Sequence, residues 1–239
     1  MTKVLGIIPA RYASSRFPGK PLIDLKGKSM IQRVYDGVCK SEAFYKVVVA
    51  TDDQRIYDHV VGFGGKVVMT SSDHLSGTDR CGEVMTHFPE AEIVVNIQGD
   101  EPLVDVRQLE QLIALFEDKD VAIGTLGTYA LSKEDVEDPN RIKVVVNHAM
   151  DALYFSRSTV PFERTPTDYK YIRHIGLYGF RADILRKLIV LEPNDLEQVE
   201  SLEQLRWIYY GFNIRLAITS IETPNIDVPD DVQKVLDVL

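Results

Sequence analysis

Three cations fall within ten residues of one another in "IIPARYASSRFPGKPL" (residues 7–22): Arg11, Arg16 and Lys20. They alternate with Pro9, Pro18, Gly19, Pro21 and small side chains, a composition that opposes a helix and favours a shaped loop. Guanidinium forks grip phosphate oxygens bidentately and a lysine adds a mobile point charge, so the chemistry on offer is the holding of an anion. Gly19 would let the backbone come close to it. A solvated basic turn has the same composition. A second stretch, "VVNIQGDEPL" (94–103), places Gln98, Gly99, Asp100 and Glu101 after the most apolar run of the chain. A carboxylate leaving the carboxyl end of a buried strand is well placed for Mg2+, a hard cation that prefers oxygen ligands and keeps waters. A polar turn that ends the strand is the plainer reading. Together the two stretches supply what phosphoryl and nucleotidyl transfer require, cations for a triphosphate and an acid for magnesium.

Two commoner phosphate motifs fail on their own requirements. "LIDLKGKS" (22–29) ends like a P-loop but has Leu22 where the first glycine must stand, so the backbone cannot form the anion nest. "GFGGKV" (62–67) begins like a dinucleotide fingerprint. Val67 occupies the place of its last Gly or Ala, and the segment precedes a strand pattern instead of opening a helix.

The candidate residues need a scaffold, and the patterning describes one. Short β-branched runs at 4–8, 47–51, 66–69, 93–97, 121–127 and 142–147 are bounded by polar or glycine signals, as for strands buried on both faces. Between them lie amphipathic stripes: Ile31, Val34, Tyr35 and Val38 recur at i, i+3, i+4 and i+7, and Leu109, Leu112, Ile113 and Phe116 repeat the spacing. The alternation predicts an α/β fold with a mostly parallel central sheet flanked by helices. The cationic loop then leaves the carboxyl end of the first strand, where open α/β sheets bind ligands. Beyond about residue 128 the pattern loosens. An aromatic-rich, turn-rich stretch at 150–180 carries two predicted strands, followed by helices at 182–190 and 196–210, a strand at 214–218 and a helix from Pro229. We expect one domain over 1–239 with an inserted subregion at about 129–180.

Composition narrows the partners. The 239 residues are 45% hydrophobic and 26% charged, enough to bury a substantial core. A net charge of −9 argues against a general nucleic-acid binder but leaves room for a local anion site. Cys39 and Cys81 fit neither a disulfide framework nor a zinc site, and both fall in helical patterns as expected buried thiols. No apolar run approaches the ~20 residues of a membrane span, and the opening run is too short for a signal peptide. A cytoplasmic protein with no membrane partner is expected. His59 and His87 fall on predicted helices, His74 in a loop and His148 beyond a strand, with no metal-binding spacing among them. The acidic run 134–139 reads as a solvated helix face and turn, and "WIYYGF" (207–212) as the packed end of a helix.

With these stretches in view, the whole chain resembles the 3-deoxy-manno-octulosonate cytidylyltransferases, or CMP-KDO synthetases. The resemblance runs through ordered blocks: "IIPARYASSRFPGKPL", "VATDDQRI", "SGTDR" (76–80), "NIQGDEP", "ALYFSRSTVP" (152–161), "HIGLYGF" (174–180), "LEQLR" (202–206) and "IDVPDDV" (226–232). It implies a nucleotide-diphospho-sugar transferase-like fold, similar to that of sialic-acid cytidylyltransferases, in which residues 129–180 contribute to sugar binding and a homodimer interface. It also implies a reaction. CTP and the acid sugar KDO give CMP-KDO and pyrophosphate for lipopolysaccharide assembly, the sugar's anomeric 2-hydroxyl attacking the α-phosphorus in line.

Carried over residue by residue, the resemblance implies that Pro9, Arg11, Arg16, Lys20, Arg80, Gln98 and Asp100 bind the nucleotide. Arg80 would read cytosine, and Asp79 stands where the family pattern has Glu. Asp100 and Asp227 would jointly hold the catalytic Mg2+, with a second Mg2+ on the triphosphate. Gln98, Arg157, His174, Tyr178, Glu203 and Gln204 would line the sugar pocket, Arg157 pairing with the sugar carboxylate. Taken singly, each has a plainer reading: Glu203 and Gln204 as solvated helix residues, Arg157 as a surface ion-pair member, His174 as a packed histidine. Tyr169, Tyr171 and Tyr178 stay open between core, dimer contact and sugar platform. The rival readings are a cytidylyltransferase for 8-amino KDO or sialic acid, and a nucleotide sensor without catalysis. "YASSRFPGK" favours KDO over sialic acid, whose enzymes are richer in glycine after "PAR". Two metal carboxylates argue against a passive sensor.

Overall fold

The computed structural model describes residues 2–13, 17–130 and 132–239. In chain order the elements are β1 (Val4–Ala10), β2 (Asp24–Leu25), β3 (Lys28–Ser29), α1 (Met30–Val38), β4 (Phe44–Thr51), α2 (Gln54–Gly62), β5 (Val67–Met69) and α3 (Gly77–Met85). Then come β6 (Ile93–Asn96), α4 (Val106–Ala114), β7 (Ile123–Tyr129), α5 (Lys133–Glu137), β8 (Lys143–Val146), β9 (Ala152–Ser156) and β10 (Ile172–Arg181). The chain finishes with α6 (Ala182–Leu188), α7 (Asp195–Glu200), α8 (Gln204–Tyr209), β11 (Ile214–Ile218) and α9 (Asp231–Val238).

A nine-stranded sheet runs in the order β11-β7-β10-β6-β1-β4-β5, with β8 pairing β10 and β9. Neighbours on the main path are parallel except around β10, which lies antiparallel between β6 and β7. The expected mostly parallel sheet with flanking helices is therefore present, with one reversed strand near its middle. The first residues of β10 also pair with β8, which forms a hairpin-like pair with β9.

Strand alternation sorts the core into two layers. Leu5, Ile7, Val48, Ala50 and Val94 pack on α3, α6 and α8, where Trp207 and Phe180 are fully enclosed. Val4, Ile8, Val47, Val49 and Val95 pack on α1, α2 and α4. Each such valine, leucine or isoleucine contributes about 1.5–3 kcal/mol by leaving water. A third, smaller cluster joins Leu25, Met30, Ile226 and Val235, with Phe17 and Leu103 packed against it. It ties the loop after β1 to the segment after β11 and to α9, which matters for the site.

Three expectations are corrected. The helix expected over 196–210 is two short ones, because Ser201 caps α7 in the left-handed conformation (φ 50°) and turns the chain before α8. Cys39 is exposed at the C-cap of α1, outside the apolar stripe, whereas Cys81 is buried in α3 as expected. His87 lies in the turn past the end of α3.

Candidate active site

Two neighbouring parallel strands deliver the first residues. β1 and β6 run side by side with Ile7 opposite Asn96, so Arg11 and Gln98–Asp100 emerge together from their carboxyl ends. Gly99 permits this approach: a Cβ there would lie 2.6 Å from the Pro9 carbonyl oxygen. The loop after β1 closes on itself, the Gly19 N–H donating to the Tyr12 carbonyl at 2.9 Å with Gly19 at φ +73°. Lys20 then reaches across, its Nζ donating to Asp100 Oδ2 at 2.8 Å and to the Ile226 carbonyl at 2.7 Å. Ile226 N–H donates in turn to the Asp100 carbonyl at 2.9 Å. Because Ile226 is anchored in the third apolar cluster, Asp227 is delivered to the same edge. Its Oδ2 accepts from Asn225 Nδ2 at 2.7 Å, and its N–H is held by Asp231 Oδ2 at the start of α9.

Two cavities adjoin here. One, of about 350 Å³, is bordered by Pro9, Arg11, Lys20, Gln98 and Asp100. The other, of about 380 Å³, is bordered by Gln98, Asp100, His174 and Asp227, with Arg173 and Glu222. Gln98 and Asp100 belong to both, and Gln98 is fixed by donating from Nε2 to the Gly176 carbonyl at 2.6 Å.

On the cationic side, Arg11 donates to the carbonyls of His74 and Ser76. Desolvation, and after it the charge of Arg80, lowers its pKa. Ser76 opens α3 with a capping box that uses Asp79, so that carboxylate has a structural task. Arg80 is fully buried, bonded to Asp52 at 2.9 Å and to Thr70, with its Nε unpartnered among the described residues. It borders neither cavity. Arg16 lies outside the described residues.

On the other side, β10 presents His174 and Tyr178. The His174 Nε2 meets Thr125 Oγ1 at 2.9 Å and its ring stands edge-on to Phe155. Desolvation pulls its pKa down to about 3, so it is a neutral imidazole at physiological pH. The Tyr178 ring packs against Trp207, and its buried hydroxyl has no partner among the described residues. Glu203 accepts from Ser76 Oγ at 2.9 Å and Thr78 Oγ1 at 2.8 Å, and desolvation raises its pKa against their pull. It therefore joins the α3 cap to the start of α8, where Gln204 is buried. Arg157 donates to the carbonyls of Glu200 (2.6 Å), Pro139 (3.1 Å) and Ser201 (3.3 Å).

The structure thus gathers Pro9, Arg11, Lys20, Gln98, Asp100, Asp227 and His174 around the two cavities. Arg80, Arg157, Tyr178, Glu203 and Gln204 border neither. Glu101, noted in its motif but given no role, and Arg173, not anticipated, both border the larger cavity. The Glu101 carboxyl accepts from the Thr223 hydroxyl at 3.1 Å, and desolvation followed by the Asp100 charge pushes its pKa up to about 7. Arg173 pairs with Glu222 at 2.7 Å. An arginine beside His174 in an otherwise apolar strand is the signal that marks it.

No group of three His, Cys, Asp or Glu capable of holding a metal occurs among the described residues. Two carboxylates on one cavity, one of them already facing an ammonium group, do fit a hard divalent cation. Mg2+ commonly takes one or two carboxylates and fills its remaining positions from water and substrate phosphate.

Comparison with known proteins bears on the family. The family model described as Cytidylyltransferase matches residues 5–217. A 3-deoxy-manno-octulosonate cytidylyltransferase of Parabacteroides distasonis is 47% identical, the alignment covering 99% of this chain and 98% of that one. An 8-amino-3,8-dideoxy-manno-octulosonate cytidylyltransferase of Shewanella halifaxensis is 43% identical over 95% and 94%. The solved structure of CMP:2-keto-3-deoxy-manno-octonic acid synthetase complexed with CTP superposes with a TM-score of 0.94 at 44% identity, covering 99% of this chain and 98% of that one.

Proposed function

We propose a reaction from one premise: the chain belongs to the cytidylyltransferase family and, within it, to the 3-deoxy-manno-octulosonate cytidylyltransferases. It is a nucleotidyltransferase that moves CMP from CTP to KDO and releases pyrophosphate. The observation that carries this reading is the wall of Gln98 and Asp100 shared by the two cavities. A triphosphate on the cationic side and a sugar on the other would bring the attacking hydroxyl and the α-phosphorus together at that wall.

Arg11 and Lys20, with Arg16, are assigned to the triphosphate. Negative charge grows on the departing pyrophosphate, so fixed cations there stabilise the transition state more than the ground state. Lys20 neutralises Asp100 at rest and is within reach to exchange that partner for phosphate oxygens. Asp100 and Asp227 would hold Mg2+. When bound, the ion supplies neutralisation of phosphate charge and acidifies a coordinated hydroxyl.

Neutral His174 and Gln98, which border the larger cavity, offer hydrogen bonds to a polyhydroxylated sugar without adding charge, and we assign Tyr178, whose ring adjoins that of His174, to the same substrate. Three of the five Arg157 donors are committed to carbonyls, which leaves two for the sugar carboxylate. We assign Glu203 and Gln204 to the same substrate and Arg80 to the base. We further propose a cytoplasmic homodimer feeding lipopolysaccharide synthesis, with contacts through the subregion at 129–180, where Leu153, Phe162 and Tyr169 are exposed. No helix of the described residues is long and apolar enough to cross a membrane.

The Shewanella relative favours a second reading, an 8-amino sugar substrate. Pyrophosphate release measured in parallel with KDO, 8-amino KDO and sialic acid separates them. KDO is expected to lead. A preference of about tenfold in kcat/KM for another sugar overturns the substrate, since a small pocket change yields discrimination of that order. Tight CTP binding without turnover would indicate a sensor.

A further inference from the structure

The block "VATDDQRI" is not absorbed by the reaction as described, and its geometry points back at the cationic loop. Asp53 is the N-cap of α2, accepting from the Arg55 backbone N–H at 2.9 Å. The same carboxylate holds the Arg55 side chain at two points, Nε to Oδ1 at 2.9 Å and Nη2 to Oδ2 at 2.6 Å. The guanidinium so fixed lies 3.3 Å above the centre of the Tyr12 ring. An exposed ion pair alone contributes little to stability. What this one does is orient a planar cation over an aromatic face, the geometry in which the ring quadrupole attracts it.

Tyr12 is gripped from the loop as well. Its carbonyl accepts the Gly19 N–H, and a Cβ at Gly19 would fall 3.2 Å from the Tyr12 ring carbon Cζ and from its hydroxyl oxygen. Only a residue without a side chain, tolerant of positive φ, closes the loop this tightly on the ring. Both cations adjoin the clamp, Arg11 preceding Tyr12 and Lys20 following Gly19. Arg11 is further tied to the segment before α3, and Lys20 to Asp100.

We propose that Tyr12, clamped between the Asp53–Arg55 pair at the head of α2 and the backbone of Gly19, is a positioning residue that pre-orders the triphosphate loop. The inference rests on the assignment of Arg11 and Lys20 to the triphosphate. Without the clamp the loop must be ordered at the expense of binding and transition-state free energy, and small misplacements at a reacting centre are costly.

The test compares wild type with Tyr12→Phe, Tyr12→Ala, Arg55→Gln and the Tyr12→Ala/Arg55→Gln pair, with Lys20→Met as the control for the loop itself. The readouts are kcat and KM for CTP, KM for KDO, inhibition by pyrophosphate, and Tm. We expect Tyr12→Ala and Arg55→Gln each to lower kcat/KM for CTP by about tenfold and to weaken pyrophosphate inhibition in step. KM for KDO and Tm stay unchanged, Tyr12→Phe stays within about twofold of wild type, and the pair is no worse than either single change. If Tyr12→Ala does not fold, Arg55→Gln carries the same test on an intact ring. The clamp is overturned if Tyr12→Phe is as impaired as Tyr12→Ala, if the two losses add, or if both variants match wild type while Lys20→Met is inactive. An active Lys20→Met overturns the assignment of the loop to triphosphate, and the clamp with it.

Discussion

The two sides of the Gln98–Asp100 wall solve recognition differently. On the loop side, full charges are held at a cavity surface by partners they can exchange: Lys20 rests on Asp100 and on a carbonyl, and Arg11 on two carbonyls. On the β10 side the groups are desolvated and their charge is suppressed. His174, at the cavity, is neutral; behind it, bordering neither cavity, the Tyr178 hydroxyl has no partner among the described residues and Glu203 has a raised pKa. Under the proposed assignment, a triphosphate would be met by movable charge and a sugar by polar groups whose charge is suppressed, each arrangement matching what its ligand brings.

If that division is right, the two sides should separate in kinetics. The largest effect is expected for Asp100→Asn, which removes a charge without changing volume: kcat should fall about 1,000-fold or more while circular dichroism and Tm stay near wild type. Turnover within about tenfold of wild type would erase the loop side of the comparison. Arg157→Ala should raise KM for KDO about thirtyfold, leave CTP affinity unchanged and lower Tm by a few degrees, because three charge-assisted bonds to carbonyls are lost. Calorimetric titration showing that CTP binding collapses instead would move Arg157 across the wall.

Tyr178→Phe sharpens the contrast at smaller amplitude. It should raise KM for KDO about tenfold with no loss of Tm, since the hydroxyl has no partner among the described residues to forfeit. A clear drop in Tm with unchanged KM would make that hydroxyl structural. The last effect is one of stability. His174 takes up a proton on unfolding throughout the window between its ordinary pKa near 6.5 and its folded value of about 3. Stability contributed by keeping it neutral is present above pH 6.5 and lost as pH falls through that window, at a slope of about 1.4 kcal/mol per pH unit. Urea titrations between pH 6.5 and 4.5 should show a flatter dependence for His174→Gln. Parallel curves would show that the ring is not desolvated as described.

Legibility in the sequence followed the same division. The strands before residue 130 were readable because each is a short apolar run between turn residues, and β1, β4, β6 and β7 all occur where the runs lie. The direction of β10 was not readable: an apolar run has no polarity, and only the long excursion through β8 and β9 reverses the chain. The break at Ser201 escaped because a serine in a helical pattern gives no sign that it will adopt a left-handed backbone. Local chemistry also outran pairing. The cations and acids were visible in their motifs, whereas the contact of Lys20 with both Asp100 and Ile226 depends on three loops meeting. Arg55 over Tyr12 was invisible for the same reason, since a stacking contact between two loops leaves no periodicity behind.

The seal between Lys20 and Ile226 spans 206 positions. A ribosome adding about 5–20 residues per second takes roughly 10–40 s to cover that distance. During synthesis the cationic turn can meet Asp100 and the segment before α3 well before Ile226 has emerged, and the seal comes last. A nascent molecule halted before Ile226 has the anion-attracting loop but lacks Asp227, so under the proposed assignment an interrupted product of translation would bind phosphate without turning CTP over.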